Sequence, residues 1–142
     1  MKKDIVKVLT FQHDELRDEL KKISKKKDTE IQKIHKSLEV FTEKLEKHLK
    51  LENEYFYPRL LRKMDKVGVD SKKTKDFISK IKYIEKTVYS FLQEFETSKD
   101  IKGDFSGFKK DFKSMKQGLT LRIDAEEESI YMYWKLLKSN NK

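Results

Sequence analysis

Apolar residues recur at alternating three- and four-residue steps in four stretches of the chain, the spacing that lines one face of an α-helix. The first stretch, from about Asp4 to Ser24, carries Leu9, His13, Leu16, Leu20 and Ile23. The second opens at Asp28 or Thr29, where Thr29 and Gln32 have the spacing of a capping box. Its stripe reads Ile31, Ile34, Leu38, Phe41, Leu45, His48, Glu52 and Tyr55. Pro58 predicts a kink or an end there, because proline cannot donate a hydrogen bond to the preceding turn. After turn signals around Gly68 to Ser71, a third stripe runs Phe77, Ile81, Ile84, Val88, Phe91 and Phe95. A break from Thr97 to Asp104, with Asp104 as a good N-cap, leads to Phe108, Phe112, Met115, Leu119, Arg122, Glu126, Ser129 and Tyr133. Helices joined by short connections pack as antiparallel neighbours, so the pattern predicts an all-α, up-down-up-down antiparallel four-helix bundle. The chain length fits one domain over residues 1–142.

Three of the stripes are interrupted by ionisable residues where Leu, Ile or Phe would be expected. An unpaired charge buried there would cost several kcal/mol, so these groups must compensate one another. His48 and Glu52 are four apart and share a helical face; Arg122 and Glu126 repeat the spacing, and His13 projects from the first helix. Imidazoles and carboxylates converging from facing helices make a nitrogen-and-oxygen metal site. A metal-free arrangement serves equally on spacing alone, with Arg122 as a buried ion pair to Glu52 and Glu126. Counting from the turns sets the ligand levels of adjacent helices apart by roughly 5 to 10 Å, which tilt, a kink at Pro58 or longer connections must absorb.

Composition then narrows the chemistry. The chain has no cysteine, which excludes thiolate ligands, disulfides and a Cys nucleophile. Charged residues make up 42% and hydrophobic ones 36%, the usage of amphipathic helices with solvated outer faces. There is no apolar run of about 18 residues, and Met1 to Leu9 lacks a signal-peptide core, so no membrane association and a cytoplasmic location are expected. A net charge of +9 suggests an anionic partner, but nearly all of it is Lys, spread among 25 acidic residues, with only Arg17, Arg59, Arg62 and Arg122 to form the forks nucleic-acid recognition favours. Nucleic acid is therefore a disfavoured partner. Neither a Gly-rich phosphate loop nor a Ser, His and Asp arrangement is present, and no enzymatic activity is expected.

The segment His48-Leu49-Lys50-Leu51-Glu52-Asn53-Glu54-Tyr55-Phe56-Tyr57-Pro58 resembles the His-x-x-x-Glu and Tyr-Pro signature of hemerythrin-like, HHE cation-binding proteins. His13-Asp14-Glu15 resembles that family's first ligand helix and Arg122 to Tyr131 its fourth, so the likeness spans essentially the whole chain. The family's di-iron centre takes one His from each of four helices and bridging carboxylates from the second and fourth. The resemblance implies His13, His48, Glu52 and Glu126 as ligands. Arg122 stands where the fourth-helix His would be, and the third helix has no His. The losses fall on one half of the centre, which implies a single ion, iron or else Zn or Mn, with Arg122 as a fixed positive charge beside it. The implied role is iron, nitric oxide or redox sensing, or metal holding. Reversible dioxygen carriage, which draws one electron from each of two irons, is not expected. The competing reading is a metal-free interaction module with a protein partner, in which Arg122 replaces the metal.

Among the remaining residues, Tyr55, Tyr57, Tyr131, Tyr133 and Trp134 lie in register with the cluster and are read first as core filling, then as hydrogen-bond donors to the ligands. Glu127 is the nearest substitute ligand. His35, about 20 Å from His48 along its helix, is read as a boundary residue.

Overall fold

The computed structural model describes residues 4–139; the ends of the expected domain, residues 1–3 and 140–142, lie outside the described residues. Among the described residues there is no strand, and the expected helical bundle is present. Its elements are α1 (Ile5–Ser24), α2 (Ile31–Leu51), α3 (Tyr57–Lys66), α4 (Lys72–Glu94), α5 (Ser98–Gly103), α6 (Phe105–Glu128) and α7 (Ile130–Ser139). Helix α1 packs on α2 and α6, α4 packs on α6, and α3 packs on α4 and α7.

The caps explain several boundaries. Asp4 accepts from the Val6 N–H at the start of α1, and Asp104 accepts from the Gly107 N–H at the start of α6. Thr97 and Asp100 form a reciprocal capping box on α5, a short helix inside what the pattern predicted as a break. The capping box expected of Thr29 and Gln32 does not form. Asp28–Glu30 is instead one 3-10 turn, in which the Lys27 N–H donates to Glu30 Oε1 at 3.1 Å and α2 begins at Ile31.

Pro58 neither ends nor breaks the second helix. The residues before it, Glu52–Phe56, form a π-turn in which the Tyr57 N–H donates to the Glu52 carbonyl five residues back. The wider turn gives the pyrrolidine ring its space, and the helix continues as α3. This extra residue also advances the inward face. Tyr55, expected on the stripe, is 38% exposed, while Phe56 and Tyr57 are buried.

The apolar core falls into two parts. One gathers Leu16, Leu20, Phe41, Leu45, Phe91 and Phe112 with their neighbours; the other gathers Leu9, Phe56, Leu60, Ile78, Ile130 and Tyr131. Between them α1, α2 with its π-turn, and α6 each contribute buried polar residues: His13, then His48 and Glu52, then Glu126. The molecule thus has a polar waist.

Candidate metal centre

His13, His48, Glu52 and Glu126 are all buried, at 3% exposure or less, and each offers a ligand atom within 4.8 Å of the others. The four residues read from the sequence as ligands therefore meet. The offset counted between helices does not keep the ligand atoms apart.

Both imidazoles are held from outside the cluster. His13 Nδ1 lies 2.8 Å from Glu127 Oε2, and His48 Nδ1 lies 2.8 Å from Gln12 Oε1. Both partners are oxygen acceptors, so each ring donates its Nδ1 proton outward and aims its Nε2 inward. Inside, His13 Nε2 is 3.5 Å from Glu126 Oε1 and His48 Nε2 is 3.3 Å from Glu52 Oε1. Arg17 clamps the outer carboxylate through contacts of 2.9 and 3.1 Å to Glu127 and a further 2.7 Å contact to Asp124. Glu127, read as a substitute ligand, instead orients His13.

Two hydroxyls close the cluster. Tyr57 Oη donates toward Glu52 Oε1 at 3.1 Å and Glu126 Oε2 at 2.9 Å. Tyr131 Oη donates to Glu52 Oε2 at 2.7 Å and lies 3.1 Å from His13 Nε2. Each tyrosine stands five residues after a cluster carboxylate, across a helix irregularity: the π-turn for Tyr57, and for Tyr131 the break at Ser129 that separates α6 from α7. An unbroken helical count instead picks Tyr55 and Tyr133, which are 38% and 47% exposed. Glu-x-x-x-x-Tyr, counted from Glu52 and from Glu126, was the signal available in the sequence.

Arg122 is not in the interior. It is half-buried, its guanidinium lies 5.6 Å from the centre of the Phe77 ring, and among the described residues it forms no ion pair with Glu52 or Glu126. The reason is register. From Leu119 the buried seam steps four residues to Ile123, then three to Glu126, leaving Arg122 one position off it. The expected buried ion pair in place of a metal is therefore overturned. His35, as expected, is a boundary residue, with Nε2 2.9 Å from the Glu96 carbonyl oxygen.

Electrostatics separates the two carboxyls. Burial alone would push Glu52 up, but His48 beside it, with hydrogen bonds from Glu126, His48 and Tyr131, holds it down at about 2. Glu126 goes the other way: burial and the neighbouring Glu52 charge raise it well above the ordinary carboxyl range. Burial and His48 lower His13 from 6.5 to about 4. Without a cation, the waist shares a proton between two acids and keeps His13 neutral.

Two imidazole nitrogens and two carboxylates on rigid helices fit a divalent first-row ion, and the outward Nδ1 hydrogen bonds are the support such ligands need. Beside His48, Glu52 and Glu126 lies a cavity of about 20 Å³, walled on the α4 side by Ile81, Ile84, Glu85 and Val88 and on the α6 side by Arg122 among others, with room for a water-sized ligand. No helix of the described residues is long and apolar enough to cross a membrane.

A family profile described as Hemerythrin HHE cation binding domain matches residues 4–134. No curated protein sequence and no solved structure matches the chain.

Proposed function

The chain belongs to the hemerythrin HHE cation-binding family, and from that premise we propose that it holds one divalent metal ion, iron first among the candidates, through His13, His48, Glu52 and Glu126. The observation that carries this reading is the convergence of four ligand atoms within 4.8 Å, with both imidazoles fixed from behind. Zn(II) and Mn(II) suit the same donors. A bound iron would supply a one-electron couple and an open coordination position. His13 and His48 present their Nε2 atoms, Glu52 and Glu126 neutralise the charge, and Tyr57 holds the two carboxylates together. Ile81, Ile84 and Val88 line the small adjoining space together with Glu85 and Arg122.

Such a site serves iron, nitric oxide or redox sensing, or metal holding, with a diatomic molecule as the ligand that fits the cavity. Oxygen carriage of the two-iron kind is not part of this proposal, because α4 carries no histidine and offers Ile81, Ile84, Glu85 and Val88 where a second ion would need imidazoles. The test is metal content after anaerobic purification with ferrous iron. We expect close to one equivalent, lost in Glu52→Ala; less than about a tenth of an equivalent would overturn the proposal.

One observation favours a second reading, a metal-free bundle that binds a protein partner. Tyr57 and Tyr131 already give the cluster carboxylates hydrogen bonds from within the chain. Unchanged thermal stability on addition of ferrous, zinc and manganous ions would support it, since a tightly bound ligand must stabilise the folded state.

A further inference from the structure

At the end of the bundle formed by the C-terminus of α1 and the first half of α6, the surface opens into a groove of about 310 Å³. That lies at the lower edge of the range, roughly 300 to 1,000 Å³, typical of small-molecule pockets. It is remote from the polar waist: Ile23 on its wall is ten residues from His13 on the same helix, about 15 Å along the axis. The floor is apolar and aromatic, built from Ile23, Phe105, Phe108 and Phe112. The rim is Lys26, Lys109, Lys113 and Lys116, and among the described residues no carboxylate lines the groove.

The sequence pattern produces this pairing directly. Phe105, Phe108 and Phe112 follow helical spacing, and Lys109, Lys113 and Lys116 follow the same spacing beside them, so α6 carries an aromatic stripe and a cationic stripe in parallel. Lysines three and four apart on one face repel each other. Acidic side chains reach some lysines elsewhere, as Glu19 reaches Lys22 and Lys44 and Glu30 reaches Lys33. Among the described residues none of the four rim lysines forms an ion pair; Lys116 donates only to Ser24 Oγ, at 2.9 Å. The repulsion is left standing around an apolar floor.

We propose that this groove binds a free amphipathic organic anion, an apolar body bearing one carboxylate, with the body on the phenylalanines and the head among Lys109, Lys113 and Lys116. The floor excludes small hydrophilic anions as the best occupant, and the unpaired rim excludes neutral or cationic amphiphiles. This site is independent of the metal centre.

The test titrates the intact protein with monomeric laurate, following backbone amide shifts by NMR, with dodecanol and dodecyltrimethylammonium as controls. Saturable shifts confined to Ile23–Lys26, Ile34 and Phe105–Lys116 are expected, with laurate binding tighter than dodecanol. Lys113→Glu, an exposed position, should weaken laurate by about tenfold while leaving the helical spectrum unchanged. Lys135→Glu, on α7, should have no effect. Equal binding of dodecanol, shifts elsewhere, indifference to Lys113→Glu, or binding to anionic vesicles without binding of monomeric laurate would each overturn the proposal.

Discussion

His13 is the most constrained side chain of the waist. It is fully buried, its Nδ1 faces Glu127, its Nε2 faces Tyr131 and Glu126, and its ring stacks on Tyr131 at a centroid distance of 5.2 Å. In the metal-free protein its lowered proton affinity makes stability depend on pH with a definite sign. The unfolded chain takes up a proton at this residue near 6.5, whereas the folded one refuses it until about 4. Stability is therefore full above 6.5 and falls as the pH drops through that window. Chelator-treated protein should lose about 2 kcal/mol from this residue between about pH 7 and pH 5 in urea denaturation. His13→Gln should show a correspondingly shallower dependence; an equal slope in the variant would mean that other groups carry it.

At the scale of elements, the π-turn and the Ser129 break decide which side chains reach the centre. A proline inside a regular helix costs about 3 kcal/mol or more, through a lost hydrogen bond and a clash with the carbonyl four residues back. Here the π-turn already accommodates the ring, so Pro58→Ala should gain less than about 1 kcal/mol in thermal or urea denaturation. A gain near 3 kcal/mol would instead show strain at the junction. The same two irregularities mark the limit of what could be read from the pattern. Long uninterrupted stripes fixed the helices, and His13, His48, Glu52 and Glu126 were legible because polar residues broke an apolar period. Arg122 was misplaced because steps of three and four are indistinguishable from Leu119 onward until packing selects Ile123. Tyr57 and Tyr131 were legible only as neighbours, since each lies beyond an extra residue or a break that shifts the phase of the helix. Gln12 gave no signal, because a polar residue beside a stripe looks like any solvated position, and Glu127 was legible as a substitute ligand but not as the acceptor that orients His13.

Over the whole molecule, the waist divides the core that a bundle of this size would otherwise share. Every crossing chain except α4 passes through a buried polar residue between one apolar part and the other. Trp134, the single tryptophan, packs with the part containing Phe56, at a ring distance of 5.5 Å, while helix content reports on both parts. In stripped protein, tryptophan emission and far-ultraviolet ellipticity should give different urea midpoints, and in loaded protein coincident ones, because an ion tied to α1, α2 and α6 fastens the two parts together. Coincidence in both forms would mean that the parts melt as one regardless. A layer of polar side chains across a helical bundle is thus a perforation line: it sets the number of cooperative units, and a ligand seated on it decides whether the protein comes apart in one piece or two.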